Sequence, residues 1–319
     1  MLPLFAASLD PAFRQSTTLP AVRYSEQQPT FIPPMLLSSG PVPAGEGWTL
    51  ELKWDGCRAQ LRYDRGLVTL RTRNGRECSE SFPELADIAD VLGKRRVTLD
   101  GELVCLRPDG RPDFARLRPR LTGQRPLAPA MLQVFDVLHL DGHSIRQLPY
   151  RDRRALLGEM ALDGPSWRTP ASVAVWRSEE FVARVEALGL EGVVAKRLSS
   201  TYLPGRRCTA WVKRKLRREE RLAVTGVRRN RHGRVDAIFV ARHQADGSFT
   251  GAGAIEIGLH RELVERLEIR LAELPARRRG AVAWYPAQVS VVASLHGLAD
   301  GPVRDAVLRE VLDGAVAPN

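Results

Sequence analysis

ELKWDG, residues 51–56, alternates apolar and polar side chains and ends on Asp55-Gly56, which predicts a β-strand followed by a turn. Within it stands Lys53, and lysine is scarce in this chain: five of the 48 basic residues are lysine and the others are arginine. Arginine therefore supplies most of the positive charge. A lysine can lose its proton and act as a nucleophile, which an arginine does not do. Lys53 is therefore a candidate for covalent chemistry.

The composition limits the class of protein. A length of 319 residues suits one large domain or two ordinary ones, and 44% hydrophobic with 27% charged residues is typical of globular proteins. The net charge of +11 favours a polyanionic partner. Because no apolar run is long enough to span a membrane, we expect nucleic acid rather than a membrane surface. The four cysteines form no C-x-x-C pair, which argues against a zinc site and predicts a reducing compartment such as the cytoplasm.

The first two thirds of the chain predict mixed strands and helices. Prolines through residue 45 predict an irregular beginning without regular helix. Strands are predicted at WTLELKW, AQLRY, LVTLRTR, VTLDGELVCL and MLQVFDVLHL, and helices at PELADIADVLGKR, at RDRRALLGEMAL and from about Glu179 to Leu188, with Ser178 as its cap. We expect an arm over residues 1–30, a catalytic domain over 31–217 and a second domain over 218–319.

The expected boundary is the charge-dense joint KRKLRREER, residues 213–221. Beyond it lie strand patterns (RLAVTGV, VDAIFVARH, TGAGAIEIG), one amphipathic helix from about Arg261 to Leu274 and a last strand, AVAWYPAQVSVVASL. Strands in this number around one helix suit a small barrel of the oligonucleotide-binding (OB) type.

Five further blocks follow Lys53 in order: TRNG (72–75), LDGELV (99–104), LQVFDVLHLDG (132–142), EGVVAKR (191–197) and WVKRK (211–215). This series resembles the covalent nucleotidyltransferase superfamily of ATP-dependent DNA ligases, RNA ligases and capping enzymes. It is most similar to the ligase module of bacterial non-homologous end-joining ligases. The resemblance spans roughly residues 30–319. It implies an α+β, DNA ligase/ATP-grasp-like nucleotidyltransferase domain, with antiparallel sheets and flanking helices, followed by an OB-fold β-barrel.

Four of the five lysines fall inside ELKWDG and these five blocks. An amine attacks the α-phosphorus of ATP only when it is deprotonated, and nearby cations favour that form. The candidates are Lys213, Lys215 and bound magnesium. Because Lys213 and Lys215 are two apart on a predicted strand, they share a face and both can reach the α-phosphate, while Arg214 points to the other face.

The resemblance assigns roles to the polar residues of the other blocks. Glu191 is similar to the carboxylate that holds the magnesium (or manganese) ion, since hard cations prefer oxygen ligands. Glu102, which we expect in a short turn between apolar strands, contacts the ribose hydroxyls or orders the waters of the metal. Arg58 is placed for the ribose, although a plain surface arginine is a nearly equal reading.

Aromatic and phosphate-binding positions follow in the same way. Phe135 either belongs to the core or stacks on adenine, and a ring at the edge of a pocket does both. Glu51, on the same face as Lys53, matches the residue that accepts from the adenine amino group. Arg73 resembles the arginine that binds the phosphate at a nick. Lys196 and Trp211 belong to the blocks without an assigned role.

The resemblance implies an ATP-dependent DNA ligase, a monomer that acts on nicked or broken duplex DNA, with possible end-joining partners such as polymerase or nuclease modules and an end-binding protein. ATP is favoured over NAD because the stretch before Lys53 is short and proline-rich. Two alternatives stay open: an RNA ligase or capping-type enzyme, and a nucleic-acid-binding relative that has lost the reaction. The tail departs from the family pattern, since DGPVRDAVLREVL lacks an R-x-D-K block and offers only Arg304 and Arg309 as basic residues. We therefore expect slow self-adenylylation.

Overall fold

The computed structural model describes residues 27–124, 128–296 and 301–312, and the chain divides into two compact units, Met1–Lys215 and Leu216–Asn319. Most of the expected arm, residues 1–26, lies outside the described residues. Each unit has its own hydrophobic core.

The described part of the first unit contains strands and α-helices in mixed order. The strands are β1 (Leu36–Ser39), β2 (Trp48–Leu52), β3 (Cys57–Asp64), β4 (Leu67–Thr72), β5 (Arg96–Cys105), β6 (Ala130–Leu140), β7 (His143–Ser144), β8 (Trp167–Arg168), β9 (Ser172–Ala174), β10 (Gly192–Arg197) and β11 (Arg207–Lys215). The helices are α1 (Ile88–Leu92), α2 (Phe114–Leu121), α3 (Tyr150–Glu159) and α4 (Ser178–Ala187).

These strands form two sheets. One has the order β1-β11-β10-β2-β9, in which only the β1–β11 pair is parallel. The other has the order β4-β3-β5-β6-β7, with β8 added in parallel to β6. The main core of the unit lies against this second sheet, where Leu61, Leu99 and Val134 are completely buried. A smaller aromatic cluster, formed by Tyr150 of α3 and Trp211 of β11 among others, joins the two sheets. The site described below is built beside this cluster.

VTLDGELVCL is confirmed as a strand, so the turn predicted around Glu102 is wrong. Arg96–Cys105 is one continuous strand, β5, in which Glu102 pairs with Arg58 of β3. The preceding Gly101 does not close a turn. A Cβ added to it would lie 2.8 Å from the carbonyl oxygen of Gln133, so this glycine allows β6 to approach β5 closely.

The predicted helices of the first unit are confirmed in two cases out of three. RDRRALLGEMAL covers all of α3 except its first residue, and the stretch from Glu179 covers all of α4 except its first residue. Ser178 is the first residue of α4 rather than its cap, and Arg177 precedes it without a capping hydrogen bond. PELADIADVLGKR forms a 3-10 turn at Pro83–Leu85 and the short α1 instead of one long helix. The proline-rich beginning is not wholly irregular, because it contributes β1.

The described part of the second unit contains β12 (Arg218–Arg229), β13 (Val235–His243), β14 (Phe249–Ile255), α5 (Arg261–Ala272), β15 (Arg277–Arg279), β16 (Val282–His296) and β17 (Arg304–Val311). The antiparallel sheet has the order β14-β13-β12-β16-β15, and β17 pairs with β16. The sequence predicts β16 as the last strand, which is wrong, since β17 follows it. Among the residues described, every helix is too short or too polar to cross a membrane.

Candidate active site

Two neighbouring rows of residues, each running from the end of β2 across β10 and β11, fix the position of Lys53, the predicted nucleophile. Glu51 of β2, Val194 of β10 and Lys213 of β11 are in register, so their side chains share one face of the sheet. Lys53 follows β2 directly, and its backbone N–H donates to the carbonyl oxygen of Gly192 at 2.9 Å. Gly192 in turn pairs with Lys215. The predicted alternation is therefore confirmed, and both lysines of β11 lie on the face of Lys53.

Gly192 allows close approach in the row that it forms with Lys53 and Lys215. Its φ is +148°, and a Cβ at this position would lie 2.2 Å from the carbonyl oxygen of Arg214. Without a side chain between them, Lys53 and Lys215 both reach the carboxylate of Glu191, at 2.6 Å and 3.6 Å from Nζ. Glu191 therefore bridges the two ammonium groups at the end of the row.

Lys213 completes a cluster of three amines. Partial burial and the positive charges of Lys53 and Lys215 lower the pKa of Lys213, while Glu191 opposes this effect. The cluster therefore favours loss of a proton from Lys213, and it presents concentrated positive charge to an anion.

A cleft opens beside these amines, with an empty volume of about 450 Å³ including its mouth. It is lined by Leu37, Glu51, Leu52, Lys53, Trp54, Arg58, Glu102, Phe135, Val194, Lys196 and Trp211. Five predicted site residues thus share one cavity of the size that small ligands occupy: Glu51, Lys53, Arg58, Glu102 and Phe135. The cavity combines an apolar, aromatic end with a charged end.

The aromatic end contains a buried ion pair. Lys196 lies 2.8 Å from Glu51 and is surrounded by the rings of Phe135, Tyr150 and Trp211, with its Nζ 4.3, 4.8 and 4.5 Å from their centroids. Tyr150 donates its hydroxyl proton to the other oxygen of Glu51. Burial lowers the pKa of Lys196, and the carboxylate of Glu51 opposes that effect. The ammonium is therefore held in an aromatic cage that fixes the carboxylate of Glu51 at the floor of the cleft.

Arg58 lines the cleft and is held in place by hydrogen bonds, so it is not a plain surface arginine. Its guanidinium makes two hydrogen bonds to Asp100, at 3.0 and 2.7 Å, and one each to the Met35 carbonyl and the Tyr202 hydroxyl. Burial would lower the pKa of Arg58, but Asp100 outweighs burial and the pKa is raised. Asp100, Tyr150 and Tyr202 were not singled out in the sequence. Only Asp100 carried a signal, since it stands in the LDGELV block.

Glu102 is the acid with the strongest perturbation in this cleft. Burial raises the pKa of Glu102 to about 8, helped by Glu191 and Asp100 and opposed by Lys53 and Arg58. Glu102 and Glu191 therefore lie close enough for their charges to interact. This pairing of carboxylates fits a hard divalent cation, whose charge would favour the ionised form of both. No group of three or more His, Cys, Asp or Glu side chains suited to a metal occurs among the residues described, so such an ion would need ligands from a bound phosphate.

Arg73 lies apart from the cleft. It follows β4 in an exposed turn that is closed by the Gly75 N–H, which donates to the Thr72 carbonyl at 2.8 Å. The structure thus brings the other predicted residues together around one cavity and leaves Arg73 outside it.

Comparison with known proteins gives consistent results. The model of the ATP dependent DNA ligase domain matches residues 41–215. The multifunctional non-homologous end joining protein LigD of Pseudomonas aeruginosa is 32% identical over 301 residues, covering 88% of this chain and 35% of that protein. LigD of Mycobacterium tuberculosis is 34% identical over 245 residues, covering 76% and 32%. The chain therefore spans about a third of the length of these relatives.

Solved structures give the same picture. The ligase domain of M. tuberculosis LigD aligns with a TM-score of 0.55 and 28% identity, covering 88% of this chain and 95% of that one. A mycobacterial DNA ligase D complexed with ATP and MES aligns with a TM-score of 0.57 and 29% identity, covering 89% and 96%.

Proposed function

Because this chain belongs to the ATP-dependent DNA ligase family and has its nucleotidyltransferase fold, we propose that it seals breaks in duplex DNA through a lysyl-AMP intermediate at Lys53. The observation that carries this proposal is the cluster of Lys53, Glu191, Lys213 and Lys215 at the charged end of a ligand-sized cleft. A single surface lysine would need none of these neighbours.

Three displacements make up the proposed reaction. The neutral Nζ of Lys53 attacks the α-phosphorus of ATP, so that an N–P bond forms and pyrophosphate leaves. The AMP group then passes to the 5′-phosphate at the break and frees the lysine. Finally the 3′-hydroxyl attacks that phosphate and releases AMP. The charges of Lys213 and Lys215 would stabilise the transferring phosphoryl group, because developing negative charge is what fixed cations stabilise best.

The ends of the cleft suit the two halves of the nucleotide. At the aromatic end, Phe135 would stack on adenine and Glu51 would accept from its amino group. On the wall, Arg58 and Glu102 would face the ribose. Arg73, exposed and outside the cleft, would contact the phosphate of the DNA strand.

We propose Glu191, with Glu102 beside it, as the ligand of magnesium or manganese. When bound, the ion would offset the negative charge of the ATP phosphates. The protein's own contribution would be a change of partner for the carboxylate of Glu191, from Lys53 to the ion. With Glu191 holding the ion, Lys53 would lose the carboxylate that lies 2.6 Å from its Nζ, and this would favour the neutral amine that the reaction needs.

We further propose an arm over residues 1–30, a nucleotidyltransferase domain over 31–217 and an OB-fold barrel over 218–319. Hydrogen bonds between the β14 and β17 ends of the sheet in the second unit support the barrel: the N–H of Val303 donates to the Ala252 carbonyl at 2.8 Å, and that of Leu308 to the Ile257 carbonyl at 3.0 Å. The end-joining names of the relatives support broken duplex DNA as the substrate, in a bacterial cytoplasm. On this proposal the chain acts as a monomer beside polymerase, nuclease or end-binding partners.

The test is labelling with ATP that carries radioactive α-phosphate, followed by a gel of a nicked duplex. We expect covalent label that survives a denaturing gel on the wild type and none on Lys53→Ala, with DNA affinity nearly unchanged, because one of 48 basic residues adds little to phosphate attraction. Lys94→Ala is the matched control, since Lys94 is exposed and is the one lysine outside the motif blocks. Label on Lys53→Ala would refute the assignment. Preference for GTP would favour a capping-type enzyme, and sealing of RNA alone would favour an RNA ligase. Absence of label on the wild type would favour a non-catalytic binding protein.

A further inference from the structure

An aromatic pair faces away from the core of the second unit. Trp284 of β16 and Phe239 of β13 flank Gly226 of β12, and all three are in register. The ring centroids of Trp284 and Phe239 are 5.1 Å apart with an interplanar angle of 34°. The adjacent residues on the alternate face, Val227 and Ile238, are buried in the core, whereas Trp284 is 38% exposed.

Gly226 makes room for this pair. A Cβ added to Gly226 would lie 2.8 Å from a ring carbon of Trp284. Glycine within a strand costs stability and is expected where something approaches the backbone closely. Here the indole is what approaches, so the ring lies across β12 toward Phe239 as part of the fold.

Arginines border the pair on one side. Arg277 of the edge strand β15 pairs directly with Trp284, and Arg279 with Val282, so both arginines share the face of the indole. All three residues of Arg277–Arg279 are exposed, and their side chains make no hydrogen bond or ion pair with residues that the structure describes. Arg228, on the same face of the sheet, is by contrast paired with two carboxylates. The free positive charge is therefore concentrated beside the indole.

We propose that this aromatic-arginine surface, formed by Phe239, Trp284, Arg277 and Arg279, binds single-stranded DNA. An unpaired base stacks on Trp284, while the two arginines hold the flanking phosphates through their planar forks. The combination selects an unpaired strand, because the faces of bases within a duplex are already covered by their neighbours. A single-stranded extension next to a break supplies such a base.

This surface lies within the second unit and does not depend on the proposed sealing reaction, since binding requires neither ATP nor Lys53. A negative ligase assay would leave the proposal of single-strand binding standing. A negative single-strand binding assay would leave the ligase proposal standing.

The experiment measures fluorescence anisotropy of a labelled oligothymidylate of about 12 nucleotides, a length within the range that one such fold covers, with the full chain and no ATP. We expect Trp284→Leu to weaken binding roughly tenfold, as loss of one stacked base does, and Trp284→Phe to retain most of it. Trp176→Leu is the matched control, because Trp176 is 81% exposed but lies in the first unit. A blunt hairpin duplex with the same number of phosphates should bind all four proteins equally.

The contribution of the two arginines is tested by the salt dependence of single-strand binding. For Arg277→Gln with Arg279→Gln, the slope of log affinity against log salt should become shallower by about 1.4, at about 0.7 per lost single-strand phosphate contact. Arg261→Gln, an exposed arginine on α5, should leave the slope unchanged. In parallel, an oligonucleotide carrying 5-iodouracil is photo-crosslinked to the wild type, which needs no variant to fold. We expect the adduct in the peptide that contains Trp284.

Three results would overturn the proposal: equal single-strand affinity of wild type and Trp284→Leu, an equal loss for the hairpin duplex, or adducts confined to other peptides. The second would mean that the surface contacts duplex.

Discussion

Replacing Lys196 by methionine should damage both the stability of the first unit and the choice of nucleotide. The Nζ of Lys196 lies 2.8 Å from Glu51, and the two side chains are 3% and 4% exposed. Methionine has a similar length and keeps the contacts with the three surrounding rings, but it removes the ammonium. Glu51 then keeps only the hydroxyl of Tyr150 as a partner.

The magnitude follows from this burial. Removing one member of a buried ion pair costs about 3–5 kcal/mol, because the remaining charge has no compensation. Contacts between sulfur and aromatic rings return about 0.3–1.5 kcal/mol, so we expect a net loss of about 3 kcal/mol in the free energy of unfolding. Without the ammonium group that holds it, the carboxylate of Glu51 is no longer fixed in position to accept from an adenine amino group. Loss of a charge-assisted hydrogen bond of about 1.5–3 kcal/mol predicts roughly 10- to 100-fold slower adenylylation by ATP.

The assays are urea unfolding followed by tryptophan fluorescence, to which Trp211 in the cage contributes, and the rates of protein labelling by ATP and by GTP. Lys94→Met, at an exposed position, is the control. The double variant Glu51→Gln with Lys196→Met should recover at least about 1.5 kcal/mol relative to Lys196→Met, because no buried charge is left unpaired. It should not recover the preference for ATP. The reasoning is refuted if Lys196→Met is as stable as the wild type and discriminates ATP from GTP equally well.

Further predictions concern the acids of the cleft and the tail. The folded chain holds a proton on Glu102 up to a pKa of about 8, whereas the unfolded chain releases it near 4.5, so the stability from this group is complete below about pH 4.5 and is lost as pH rises through about 8. Glu102→Gln should therefore flatten the fall of the urea midpoint over that window, and an unchanged slope would contradict the assignment. Glu191→Ala should lose adenylylation that added magnesium restores only in part, measured as a magnesium titration of labelling, and an unaltered magnesium dependence would make Glu191 structural. Because the tail lacks an R-x-D-K block, self-adenylylation should be slow and slower still in Arg304→Ala, while sealing of a pre-adenylylated nick stays comparatively fast. Single-turnover kinetics of each step check this, and fast labelling that is indifferent to Arg304 and Arg309 would disprove it.

Local pattern alone determined the strands that carry the chemistry. ELKWDG predicted the end of a strand, and WVKRK predicted a strand. An extended backbone fixes which side chains of a strand share a face. This is why the common face of Lys213 and Lys215, and that of Glu51 and Lys53, could be deduced without coordinates. The order of the blocks added the family, and with it the expected positions of Glu51, Arg58 and the other cleft residues.

Patterns that depend on a neighbouring strand were misread. Asp100-Gly101 has the composition of a turn, but its glycine serves the approach of β6, which the local sequence does not contain. In the same way, the stretch from Pro83 is broken into a 3-10 turn and a short helix, although its spacing is helical throughout.

The sequence by itself thus determined which residues are chemically capable and which of them share a strand, because those properties reside in single side chains and in the two-residue repeat of an extended chain. Only the tertiary structure decided the environment of each group. The cage around Lys196 needs rings from β6, α3 and β11 to converge, and the raised pKa of Glu102 needs burial together with the nearby charge of Glu191, which is distant along the chain. Desolvation and Coulomb interactions depend on distance in space rather than on separation along the chain, so no local pattern encodes them.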